Sequence, residues 1–140
     1  MKIVKKNVYY CDFCGKKGLS AGHMKNHEKH CTANPNRECG MCQELDNTQR
    51  DLPALIKKYK SRYTLLTQGE SKKVQWMGKP ITIDEIKEDV ENCPMCILTI
   101  FRCAGLNRYY FSQIGLTYNY KEEMAELWKD INRDKYVGEY

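Results

Sequence analysis

A chain of 140 residues with 41% hydrophobic and 29% charged side chains has room for one ordinary domain or two small ones, and is too short for a barrel enzyme. Its unusual features are eight cysteines against three histidines and a formal charge of +5. Apolar runs such as Cys96–Phe101 fall far below the roughly 18 residues that cross a bilayer, which excludes a membrane-spanning helix. The opening Met-Lys-Ile-Val-Lys-Lys-Asn has neither an apolar core nor a small-residue cleavage site, so it does not read as a secretory signal and a reducing cytoplasm is expected. In that setting the cysteines point to metal rather than to a disulfide framework. Six of them fall in three Cys-x2-Cys pairs, Cys11/Cys14, Cys39/Cys42 and Cys93/Cys96. Two thiolates separated by two residues can turn toward one point, the geometry that tetrahedral zinc needs.

In chain order, the first pair is followed by His27 and Cys31, giving Cys-x2-Cys-x12-His-x3-Cys. Ser20 predicts an N-cap for a helix over 21–31, which sets His27 and Cys31 one turn apart on one face, able to close on a metal held by Cys11 and Cys14. His30 competes with the favoured Cys31 as fourth ligand, and His23 lies one turn before His27. A stretch this poor in apolar residues needs about 10 kcal/mol of metal binding in place of a core. With Tyr9 two residues before the first cysteine and Met24 three before the histidine, residues 9–31 resemble the C2H2 zinc-finger superfamily in its Cys-Cys-His-Cys variant. The family's aromatic position is Gly18 here, with Leu19 as a displaced substitute. The resemblance implies a ββα fold and base-contacting helix positions at Ser20, Gly22, His23 and Asn26, of which only His23 and Asn26 can read a base edge. Lys16, Lys17, Lys25 and Lys29 are the expected phosphate contacts. Four neutralised phosphates predict that log K falls against log salt with a slope of about −3.6 on duplex DNA.

The second and third pairs, Cys39-Gly-Met-Cys42 and Cys93-Pro-Met-Cys96, match each other and are read as one four-cysteine zinc site. Gly40 is expected to make the left-handed turn of a knuckle and Pro94 to open a helix, an arrangement that looks like a treble clef or zinc ribbon with a long insert. Within the insert, Leu52, Leu55, Ile56, Tyr59 and Tyr63 predict a helix over 52–63, followed by a polar break at 67–73 and a short strand at 74–77. A Thr82/Glu85 capping box predicts a helix over 83–92. The apolar helix over 94–104, ended by Gly105, is expected to be the buried centre, with Cys103 as a small core residue. Asn119 and Glu122 predict a last helix over 120–133, striped by Met124, Leu127, Trp128 and Ile131 and docking by Trp128.

These elements predict an α+β, mainly α protein: a ββα-type finger at 1–33 and a helical module at 34–140 organised by the second zinc site. Charge is bipolar along the chain. Residues 1–37 carry eight basic and two acidic side chains and residues 50–80 another eight and two, whereas 81–140 carry eleven acidic against seven basic. Such a distribution fits one face meeting phosphate, although Lys57, Lys58 and Lys60 also fit a plain solvated helix face. Nucleic acid, DNA or RNA, is the leading partner. One finger covers about 3 bp, so weak or structure-directed binding is expected. The alternative is an adaptor or inhibitor that binds a host or defence protein through the finger and clustered tyrosines, including Tyr109, Tyr110, Tyr118 and Tyr120, since small chains of this pattern look similar to proteins of phages and mobile elements. No catalysis, small-molecule substrate or membrane is expected. His23 and His27 have zincin spacing, but Met24 stands where the catalytic glutamate belongs, and the segment before Cys93 reads as a helix rather than the strand of a thioredoxin-like redox site.

Overall fold

The structure, a computed structural model, describes residues 1–45 and 48–137, with side chains at these positions other than 131 and 133–137. Its N-terminal part is built around small residues. Gly15, at φ 75°, closes a turn in which its amide donates to the Cys11 carbonyl at 2.9 Å. The turn lets β1 (Tyr9–Tyr10) pair antiparallel with β2 (Lys17–Gly18), Tyr9 opposite Gly18. Ser20 then caps α1 (Ala21–His30), its hydroxyl accepting from the His23 amide at 3.4 Å. Met24 is buried with Cys11 and Cys31, and Tyr9, Cys14 and Ala33 pack around them. A Cβ on Gly18 would stand 3.0 Å from Met24 Cε, so glycine at the family's aromatic position makes room for methionine. Leu19 takes no part and is 63% exposed, contrary to the expectation that it substitutes for the aromatic ring.

The larger core is mainly helical. Short α2 (Gly40–Glu44) leads to α3 (Leu52–Lys60), which is capped by Asp51 and buries Leu52, Ile56 and Tyr59. The predicted helix through Tyr63 stops early. Tyr63 instead begins β3 (Tyr63–Gln68), which pairs antiparallel with β4 (Ser71–Trp76) across a two-residue loop whose first residue, Gly69, has φ 62°. Thr82 caps α4 (Ile83–Asp89), accepting from the Glu85 amide at 3.3 Å. That helix is shorter than predicted because Glu91 and Asn92 both take positive φ, 52° and 62°, turning the chain into Cys93. Next come α5 (Pro94–Cys103), α6 (Tyr109–Gln113) and α7 (Tyr120–Val137).

As predicted, α5 is the centre, with Cys96, Ile97, Thr99, Ile100 and Phe101 all buried. Gly105 ends it at φ 76° and lies under Tyr63, whose hydroxyl donates to the Ala104 carbonyl at 2.5 Å. Phe111 on α6 is fully buried against Tyr63, its ring edge-on at 4.8 Å, and near Trp76. Met124 and Leu127 seat α7 on this core. Trp128 does not, being 39% exposed at the edge of the stripe, and Ile131 lies outside the described side chains. Among the described residues the fold is α+β and mainly helical, 45% helix and 12% strand. No helix is long and apolar enough to cross a membrane.

Three of the eight cations in 50–80 are matched internally. Arg50 pairs with Glu91, Lys58 reaches Asp89 at 2.7 Å, and Arg62 reaches Glu85 at 2.5 Å. Tyr59 also donates to Asp89. Burial alone would raise the Asp89 pKa, but the hydrogen bonds from Lys58 and Tyr59 hold it below the usual carboxylate value. Lys58 is therefore not part of a free basic face.

Candidate metal centres

Two clusters bring together the residues singled out by spacing. In the first, the ligand atoms of Cys11, Cys14, His27 and Cys31 all lie within 4.8 Å of one another, with Cys14 Sγ 3.3 Å from His27 Nε2. The β1–β2 turn supplies the cysteine pair, and the last turn of α1 delivers His27 and, at its C-cap, Cys31. His30 is used elsewhere: its Nδ1 donates to the Glu38 carbonyl at 2.9 Å. That removes it from the choice of fourth donor.

In the second cluster Cys39, Cys42, Cys93 and Cys96 likewise converge within 4.8 Å, all four nearly inaccessible. Cys39 and Cys93 sulfurs stand 3.5 Å apart, as do those of Cys42 and Cys96, too far for a disulfide. The long-range pairing expected from the matching motifs is thus present. Its local geometry differs from a knuckle. Gly40 is the first residue of α2 and has no positive φ, while Cys39 is the N-cap whose sulfur accepts from the Cys42 amide at 3.3 Å. Cys93 occupies the same N-cap position on α5, with Pro94 next. Both pairs therefore open helices, and the amide ends of α2 and α5 favour negative charge on the sulfurs.

A zinc ion with sulfur ligands at about 2.3 Å in a tetrahedron sets those sulfurs roughly 3.8 Å apart, so both clusters fit in donor type, number and spacing. Buried thiols otherwise resist ionisation. Burial pushes the Cys31 thiol up to about 11 and that of Cys42 up to about 12, and hydrogen bonding to Cys39 raises Cys96, while hydrogen bonds from Cys93 and Cys96 lower Cys39. The sign follows. Raised thiols hold their protons at neutral pH and must lose them to a metal, so metal affinity falls as pH falls and metal entry releases protons. Calorimetric zinc titration of the metal-free protein at pH 7, in two buffers of different ionisation heat, should show net proton release. Buffer-independent heats would contradict thiolate ligation.

Several neighbours of the second cluster carry no sequence signal. Gln49 accepts from the Cys39 amide at 3.0 Å and donates to the Arg37 carbonyl at 3.4 Å. Arg37 is only 5% exposed, donates from Nε to the His30 carbonyl at 3.0 Å, and its charge helps to lower Cys39. It thus touches the end of α1 on one side and serves the four-sulfur cluster on the other. The same junction holds Lys29 to Glu38 by an ion pair at 3.3 Å and the Lys29 carbonyl to the Glu38 amide at 3.0 Å. Cys103, half-buried rather than a full core residue, donates to the Ala33 carbonyl at 3.4 Å, and Arg102 donates to Thr32 at 2.6 Å.

The candidate nucleic-acid residues Lys16, Lys17, His23, Lys25 and Asn26 are all exposed. Lys29 is exposed too, but its charge is partly offset by Glu38. The tyrosines divide: Tyr109 is 77% exposed, whereas Tyr110 and Tyr118 pack against the core. Comparisons with protein-family models, with curated protein sequences and with solved structures return no match, so the two convergent clusters, each able to hold a metal ion, carry the functional argument.

Proposed function

We propose that the protein is a two-zinc, nucleic-acid-binding regulatory protein whose metals are structural and whose work is binding rather than catalysis, in a reducing compartment. Zinc is favoured by donor sets of three sulfurs with one imidazole and of four sulfurs. A structural role is supported by the closed, fully protein-ligated character of the second cluster, whereas a hydrolytic zinc keeps an open position. The ions would be held by Cys11, Cys14, His27 and Cys31 and by Cys39, Cys42, Cys93 and Cys96, fixing the fold around them.

The observation that carries the nucleic-acid reading is the distribution of unmatched charge. Lys2, Lys5, Lys6, Lys16, Lys17 and Lys25 have no ion-pair partner among the described residues, while Arg50, Lys58 and Arg62 around α3 are matched. Exposed Tyr10 and Phe13 lie in the same N-terminal stretch, a mixture of cation and ring that suits backbone contact and base stacking. With Lys29 held by Glu38, three contacts from Lys16, Lys17 and Lys25 replace the four counted from sequence. Fluorescence anisotropy on a short DNA duplex should then give a log K against log salt slope of about −2.7, steeper by about 0.9 for each N-terminal lysine that joins. A salt-independent affinity would sink the reading.

Exposed Ile3, Val4, Val8 and Leu19 beside these lysines favour a protein partner as the second reading, an adaptor or inhibitor. Retention of a protein partner in a pull-down after nuclease treatment would favour it.

A further inference from the structure

The geometry points to a nucleotide-binding groove between the β3–β4 hairpin and α6, in which Tyr109 stacks on a base while Arg108 and Lys72 hold its phosphate. This inference rests on the nucleic-acid reading and extends it to a second contact surface away from the finger. A cavity of about 590 Å³ is lined there by Glu70, Ser71, Lys72, Arg108, Tyr109, Tyr110 and Gln113.

Three polar groups of the lining have no hydrogen-bond or ion-pair partner among the described residues. The Arg108 side chain, with five N–H donors in a planar fork that matches a phosphate, makes no hydrogen bond or ion pair among the described residues. Lys72 is likewise unpaired and exposed on the facing strand. The Tyr110 hydroxyl, on the inner side of the lining, is buried without a hydrogen-bond partner.

Tyr109 supplies the fourth feature. α6 turns Phe111 and Tyr110 inward, where their rings stand 5.2 Å apart, and leaves the Tyr109 ring 77% exposed beside the two cations. A large ring held in water next to unmatched positive charge is a stacking platform for a base joined to its phosphate. Glu70 lies at the hairpin end of the groove and reduces its net positive charge without cancelling it. This favours a phosphodiester or phosphomonoester over a more highly charged ligand.

The test is a backbone amide NMR titration of the zinc-loaded full chain with a short oligothymidylate and, separately, with thymidine 5′-monophosphate. Shifts at Ser71, Lys72 and Tyr109–Gln113 are expected. If the mononucleotide produces them, the single nucleotide is the bound unit; if only the oligomer does, the groove takes a nucleotide within a strand. Tyr109→Ala should weaken oligomer binding about tenfold, and Arg108→Gln should weaken it and flatten the single-strand salt slope by about 0.7. Both variants should keep the wild-type melting temperature, because both side chains are exposed. Shifts confined to the finger would overturn the groove and leave the finger reading standing. Shifts in the groove with none in the finger would do the reverse. Wild-type affinity in both variants, or no shifts at all, would overturn the groove as well.

Discussion

Replacing Cys96 by serine is expected to leave one metal ion per chain and to remove the cooperative unfolding transition of the helical core. Cys96 is inaccessible on α5, and its sulfur stands 3.5 Å from that of Cys42, which arrives from a helix 54 residues earlier in the chain. A structural zinc contributes about 10–16 kcal/mol in small peptides, as much as or more than the 5–15 kcal/mol that separates a typical folded domain from its unfolded state. Losing one ligand strands three buried sulfurs against α5. The site also joins the two ends of the insert, so α2 and α5 lose the tie that sets their register. Native mass spectrometry should count one zinc, and circular dichroism should show reduced helicity with a broad melt. Two zincs with an unchanged melt would contradict the four-sulfur site.

Cys14→Ser should act locally. It also removes one metal, but among the described residues the buried core of this part is Cys11, Met24 and Cys31, with Tyr9, Cys14 and Ala33 half-buried around them, so little remains to order β1, β2 and α1 once the ion is gone. Hydrogen exchange should rise to near-unfolded rates over residues 9–28. The buried amides of α5 should keep wild-type protection, and the main melting temperature should fall by only a few degrees, the loss of the contacts at Thr32, Ala33 and Arg37. Equal global unfolding in the two variants would rule out two separable sites.

Legibility in the sequence followed how local each determinant is. The clusters were readable because sulfur chemistry at fixed spacing tolerates few alternatives, and the caps at Ser20, Thr82 and Asn119 because each is decided within four residues. The β3–β4 hairpin was half legible: the strand expected at 74–77 falls on β4, whereas β3 and the start of β4 were hidden. Tyr63 lies four residues after Tyr59 and so continued the helical stripe by coincidence, while exposed Leu66 obscured the alternation of Tyr63 and Leu65. Gly40 pointed to a knuckle because glycine allows positive φ, yet the Cys39 sulfur captures the Cys42 amide and starts a helix instead. Trp128 looked like the anchor of α7 by size, but Met124 and Leu127 fill the contact and leave the indole at the edge. Arg37 and Gln49 were invisible, since what they touch is set by tertiary structure alone.

The junction at residues 29–39 bears on how the protein would acquire its metals. Arg37 and Glu38 stand directly before Cys39, and both bind the last turn of α1, through the carbonyls of His30 and Lys29 and the ring of His30. An ion held by Cys39 would therefore also steady the segment that presents His27 and Cys31. Binding at the two clusters would then be reciprocally but weakly coupled, by no more than these few junction contacts contribute.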